Sequence, residues 1–269
     1  MNFKNVFVFV VAASSILIVG LLVRVNNVHV IGTLTESFDQ VFRQYATHRS
    51  TESTTRKLFV YLTETEQCLP PYLASPSHIG DPQACNCDVI VLSYRAKCQE
   101  NNHSHVSYLF DSKTLFASGR NVLFFAAMDG RPHYHYYIFL NDDTTLKYNK
   151  FAPEDMKKLS PFRSVETWLL DYEPVVGVLD YKHHGANYIL KFRKQSCGIN
   201  ETASLVLPTV FYDALFNAYH HKAIEHILPY PTQYERGCVF CSNRQAMIAV
   251  EVKFGGQALL FAPDRKSVV

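Results

Sequence analysis

The sequence lacks the glycine-rich loops that cradle phosphates in the commonest nucleotide-binding proteins. Neither G-x-G-x-x-G nor G-x-x-x-x-G-K-[ST] occurs in its 269 residues, which argues against dehydrogenases and P-loop enzymes. No H-E-x-x-H is present, so a zinc protease is unsupported, and no G-x-S-x-G elbow offers a serine nucleophile. Charge of one sign is nowhere concentrated. The formal net charge is +2, with no basic stripe for a nucleic-acid groove and no acidic tail. Internal repeats and low-complexity tracts are missing, and tryptophan occurs once, at Trp168. What remains is a chain of 48% hydrophobic residues, long enough to bury one substantial core.

One long apolar run is present, at the N-terminus. Val6 to Val23 carries no charge and is flanked by Lys4 and Arg24. Its length is about the minimum for a membrane-spanning helix, roughly 17–25 residues. The run closes in Gly20-Leu21-Leu22-Val23-Arg24, a poor cleavage site, which favours an uncleaved signal anchor over a signal peptide. Residues 1–5 then form a short cytoplasmic tail, and the polar residues 24–56 a stem. Residues 57–269 form the luminal domain. Two sequons, at Asn102 and Asn200, lie downstream of the anchor and choose that orientation. The seven cysteines point the same way: Cys68, Cys85, Cys87, Cys98, Cys197, Cys238 and Cys241 suit disulfides in an oxidising lumen. The Cys238-x-x-Cys241 spacing also fits a redox pair or half a zinc site. A redox pair should open a helix after a strand, and a zinc site needs a second ligand pair, which Cys85-x-Cys87 does not supply in the usual spacing. A structural disulfide is the expectation.

Past the stem, Leu58–Leu62 reads as a strand, and four prolines then break regular structure up to Cys85. Cys87–Arg95 and Val106–Phe110 read as strands, Thr114–Met128 as a helix weakened by Gly119, and the run through Tyr136–Leu140 as a strand. Strand, helix, strand in that order predicts a βαβ unit and a mostly parallel sheet flanked by helices, an α/β fold. Ala152–Leu159 and Ser164–Leu170 are expected as short helices and Pro174–Tyr181 as a strand. Phe211–Leu228 is expected as a helix, and Met247–Phe254 and Ala258–Phe261 as strands.

Apolar strands that end abruptly in polar residues mark the chemistry, because ligands bind beyond the carboxyl ends of parallel strands. Three such ends occur: Ser93-Tyr94-Arg95, Asp111 and Asn141-Asp142-Asp143. The last also reads as an ordinary acidic turn. Adjacent carboxylates repel unless a hard cation such as Mn²⁺ or Mg²⁺ sits between them and a substrate phosphate. Arg95 and Arg120 offer planar cations for a diphosphate. Of the histidines, His135 reads as a packed ring on an apolar strand. His183-His184 end a strand, where His184 could add a metal ligand. His221 and Glu225 fall four apart on the expected helix.

The anchor, the stem, the strand at Cys87–Tyr94, Ser118-Gly119-Arg120-Asn121 and the Tyr136–Asp143 segment together resemble animal type II Golgi glycosyltransferases of the GT-A (Rossmann-like) fold. The resemblance covers roughly residues 57–245. It implies transfer of a sugar from a nucleotide diphosphate sugar to a glycan or glycoprotein acceptor, with Mn²⁺ or Mg²⁺ on the diphosphate. Carried over by position, Asn141 and Asp143 hold the metal and Asp142 contacts the ribose or metal. Ser93, Tyr94 and Arg95 line the nucleotide pocket, and Arg120 approaches the phosphates. Glu235, with Asp213 second, is the candidate carboxylate base for the acceptor hydroxyl. Two departures stand out: Asn141 puts a neutral oxygen at the first acidic position, and Gly237–Cys241 replaces a tryptophan pair. A degenerate transferase fold that binds glycan or protein is therefore the alternative, and a secreted disulfide-bonded interaction domain is the third reading.

Overall fold

Uninterrupted runs of β-branched and aromatic residues build the middle of one sheet, because its central strands are covered on both faces. The computed structural model describes residues 57–99, 103–129, 134–148, 152–179 and 206–261, all within the compact unit Thr51–Val269. The expected anchor at 6–23, the stem at 24–56, Asn102, Asn200, Cys197 and His183–His184 lie outside the described residues. Among the described residues, no helix is long and apolar enough to cross a membrane.

Eight strands form the sheet: β1 Phe59–Thr65, β2 Cys87–Ser93, β3 Val106–Phe110, β4 Tyr136–Leu140, β5 Val176–Leu179, β6 Val206–Pro208, β7 Phe216–His220 and β8 Ala258–Phe261. Their order is β3-β2-β1-β4-β7-β5-β8-β6. Strands β3, β2, β1 and β4 are mutually parallel, and β5 pairs parallel with β8. Strand β7 runs antiparallel between β4 and β5, and β6 runs antiparallel to β8. The sheet is therefore mixed, with its parallel half intact. The chain leaves β1 for β2 and β3 on one side and returns to β4 on the other. The sheet thus has a topological switch point between the carboxyl ends of β1 and β4.

Helices are α1 Pro82–Cys85, α2 Phe116–Met128, α3 Pro161–Tyr172, α4 Ile224–Ile227 and α5 Val239–Phe254. Gly119 lies inside an unbroken α2. Helix α3 starts where Ser160 accepts from the Arg163 N–H and Pro161 takes a first-turn position. It docks on β1 through a buried bond from Tyr61 Oη to Glu166 Oε1, at 2.6 Å. Between Ala152 and Leu159 only a 3-10 turn forms, at Met156–Lys158.

Two expectations are corrected. Phe216–His220 is strand β7, not part of a helix, and all five of its residues are buried. Its Phe-Asn-Ala-Tyr-His sequence fits either period, and pairing with β4 and β5 on both edges decides the outcome. Val239–Phe254 is helix α5 rather than ending in a strand. There the β-branched Val250 is buried while Val252 is 82% exposed, a spacing that a helix face explains better than strand alternation. With the helix at Phe211–Leu228 gone, His221 and Glu225 no longer share a face by i, i+4 spacing.

Candidate functional site

At the switch point lies a cavity of about 390 Å³, walled by Leu62 and Glu64 of β1, Tyr94 after β2, Phe116 and Arg120 of α2, and Asn141-Asp142 after β4. Three chain segments distant in sequence meet there because β1, β2 and β4 are parallel and end at one edge. Helix α2 crosses that edge on the residues of its Gly119-Arg120-Asn121 segment, and each has a distinct task. A Cβ on Gly119 would fall 2.7 Å from Glu64 Oε2, so any larger residue there requires the Glu64 carboxyl to move. Asn121 clamps the backbone of Tyr230, donating to its O and accepting from its N–H, both at 2.7 Å. Arg120 turns inward, with its guanidinium over the rings of Phe116 and Phe139 at 4.5 and 5.4 Å.

Arg120 is almost fully buried. Its Nη2 donates to Asn141 Oδ1 at 2.8 Å and to Ala214 O at 2.6 Å. Nη1 is buried with no hydrogen-bond partner, an orphaned donor on a residue that lines the cavity. Facing it is Glu64, whose pKa burial pushes up to about 8, opposed by the Arg120 charge and assisted by Glu235 and Asp142. Burial, and then the neighbouring Asp143, also raise the Asp142 carboxyl. Asp142 in turn acts on Tyr94, whose phenol is raised first by burial and then by that charge. The cavity therefore gathers carboxyls and one under-used guanidinium within a single electrostatic unit.

The structure brings together Tyr94, Arg120, Asn141 and Asp142 of the residues singled out by sequence. Glu235 joins them from the other side: its Oε2 accepts the Ser118 N–H at 2.8 Å, at the first turn of α2, and its charge is felt by Glu64. Ser93 stands apart, buried with its Oγ donating to Gln67 O. Arg95 pairs with Glu66 at 2.8 Å, both exposed. Asp143 is exposed and does not line the cavity; its charge acts on Tyr72 and on its neighbour Asp142. Asp213 accepts the Leu215 N–H at 3.1 Å through Oδ1, fixing the turn into β7. His184 lies outside the described residues.

Glu64 was not singled out, although a signal exists. The Leu58–Leu62 run ends in Thr63-Glu64-Thr65, a polar strand end of the kind that marked Ser93 and Asn141. Among the described residues, three disulfides are present: Cys68–Cys98, Cys85–Cys87 and Cys238–Cys241. Cys238 caps α5, so this pair does open a helix, but it follows turns rather than a strand.

Fold and site define a mixed α/β protein with an acidic and cationic cavity at a sheet switch point. No family model matches the chain, and no curated protein matches it. Among solved structures, the chain is similar to the mannosyltransferase PcManGT from Pyrobaculum calidifontis in complex with GDP-Man and Mn²⁺. Identity is 9%, the match covers 88% of this chain and the TM-score is 0.45. This chain spans 66% of that protein's length, and a likeness this distant says nothing about activity.

Proposed function

We propose that the chain is a metal-dependent glycosyltransferase. It transfers a sugar from a nucleotide diphosphate sugar to a glycan or glycoconjugate acceptor. On this reading it is a single-pass type II Golgi membrane protein with residues 57–269 in the lumen. The observation that carries the proposal is the meeting of Asp142, Asn141 and Arg120 in one switch-point cavity. A hard cation fits the oxygen donors there, since it would offset the mutual repulsion that raises Asp142 beside Asp143. Asp142 takes the main ligand role because it lines the cavity and Asp143 does not, while Asn141 Oδ1 keeps a lone pair after accepting from Arg120. A bound Mn²⁺ or Mg²⁺ supplies Lewis-acid stabilisation of the leaving diphosphate.

The chain's own residues do the rest. Arg120 supplies a fixed positive charge at the cavity wall for the diphosphate, seated against the rings of Phe116 and Phe139. Tyr94 presents its ring at the rim to a nucleoside. Glu235, held at the N-terminus of α2, is the base for the acceptor hydroxyl, and Asp213 is second because its Oδ1 is already engaged. The disulfides support an oxidising compartment. Titrating the full chain calorimetrically with UDP and GDP, each with and without Mn²⁺, tests the reading. Metal-dependent binding that Asp142→Asn removes is the expected result, and metal-independent or absent binding of both nucleotides contradicts it. Glu235→Gln should keep nucleotide binding while lowering transfer by about 10²–10⁴-fold.

A second reading is a degenerate transferase fold that binds glycan or protein. The bonds Arg120 Nη2 spends on Asn141 and Ala214 favour it, since they tie the expected phosphate ligand into the fold. Glycan binding that survives chelation would mark that outcome.

A further inference from the structure

We propose a second cation site, for Zn²⁺, at the other end of the sheet, built from His135, His220 and His221 with Glu173. His135 immediately precedes β4, whereas Asn141 and Asp142 follow it, so the two clusters sit at opposite ends of one strand. The antiparallel register brings the histidines together. Tyr136 pairs with His220, and the His221 N–H donates to His135 O at 3.0 Å, so His135 and His221 stand opposite one another. The three rings lie 4.4 to 5.3 Å apart between centroids. One donor atom from each ring falls within 4.8 Å of the others. The Glu173 carboxylate adds a fourth ligand, with Oε1 3.3 Å from His135 Nε2. Glu173 ends α3 in the left-handed region, at φ 42°, a conformation uncommon for a residue other than glycine or asparagine. His135 Nε2 is buried and makes no hydrogen bond.

Three imidazoles and one carboxylate suit a borderline cation, not Mg²⁺ or Ca²⁺. Tetrahedral zinc with Zn–N near 2.0–2.1 Å spaces its ligand atoms about 3.4 Å apart, so donor atoms as much as 4.8 Å apart must close in by up to about 1.4 Å. Ligation by His220 through Nε2 moves its ring proton to Nδ1, giving up the 3.2 Å bond that Nδ1 accepts from the Lys222 N–H. In this arrangement the ion cross-links the start of β4, the end of β7 and the α3–β5 connection. The ion would thus reinforce the β7 strand where it pairs with β4 and β5.

The test uses the full chain after chelation, titrated with Co²⁺ and then Zn²⁺. A single equivalent of Co²⁺ with the intense visible absorption of tetrahedral coordination, displaced by Zn²⁺, is expected. Zn²⁺ should raise the melting temperature, and Mn²⁺ should not reproduce the spectrum-displacing effect. His135→Ala and His221→Ala should each weaken binding by roughly tenfold or more, with Glu173→Gln weakening it less. Asp142→Asn should leave it unchanged, which separates this site from the switch-point cavity. Should a histidine variant fail to fold, as judged by circular dichroism, Glu173→Gln decides through the same titration. No saturable equivalent, or one that survives the folded histidine variants, overturns the proposal. So does an equivalent that disappears in Asp142→Asn.

Discussion

Burial holds the Glu64 carboxyl protonated near neutral pH, its pKa pushed from an ordinary 4.5 to about 8 against the pull of Arg120. A carboxyl raised in this way favours the fold when neutral and opposes it when ionised. Its contribution is therefore complete below about pH 4.5 and is lost as pH rises towards about 8. The melting temperature of the wild type should fall across that window relative to Glu64→Gln, which has no proton to lose. Parallel thermal melts from pH 5 to 8 read this difference directly, and two parallel curves would show that Glu64 titrates normally. Gly119 belongs to the same contact. Gly119→Ala places a methyl within 2.7 Å of the Glu64 carboxylate. Glu64 is half-buried beside a helix that Asn121 ties to Tyr230. The variant should weaken nucleotide binding while its far-ultraviolet circular dichroism stays unchanged. By helix propensity Gly119 reads as a weakening residue, since close approach to another element leaves no local trace.

Among the elements, those whose burial is two-sided were the most legible. Strand β4, five buried residues in a row, and the Val89–Leu92 run of β2 stand out because nothing polar interrupts them. Strand β7 was hidden for the opposite reason. Its Asn217 and His220 break the apolar pattern, and both are buried. Asn217 Nδ2 donates to the carbonyls of Asp213 and Phe216, a local satisfaction that composition does not disclose. The packing of α3 on β5 is equally silent in the sequence and gives a sharp test. A Cβ on Gly177 would fall 2.3 Å from Leu169 Cδ2 and 3.0 Å from Trp168 Cζ3. Leu169 is fully buried, and Trp168 is stacked on Phe261 with centroids 4.9 Å apart, so neither can yield freely. Gly177→Ala should cost about 1–3 kcal/mol in denaturant unfolding, the usual range for overpacking. A quenched or shifted Trp168 fluorescence should accompany it, since this is the chain's single tryptophan.

At the scale of the whole molecule, the cavity is a consequence of strand order, and that order is where sequence reading stops. The polar strand ends at Ser93 and Asn141 could be read directly, and a parallel sheet places them on one edge. Which strands are neighbours is decided by long-range pairing, so the central place of β1 could not be read, although the polar end at Glu64 could. The Cys68–Cys98 disulfide bears on that same edge. Cys68 follows β1 and Cys98 follows β2, so the bond closes the rim just beyond the point where the two strands end. The β1–β2 ladder continues into this rim, with the Arg95 and Ala96 N–H groups both donating to Glu66 O. A loop of 30 residues closed by a disulfide is worth roughly 3.5 kcal/mol on chain-entropy grounds, whereas the Cys85–Cys87 loop is too short to restrain much. Cys68→Ser with Cys98→Ser should therefore lower the melting temperature by about 7–14 °C, at roughly 2–4 °C per kcal/mol for a domain of this size. Cys85→Ser with Cys87→Ser should lower it far less. Because Tyr94 sits on the same rim, the first pair of substitutions should also weaken nucleotide binding at temperatures where the fold is intact. Equal melting shifts from the two pairs would mean that the rim is held by its backbone ladder alone.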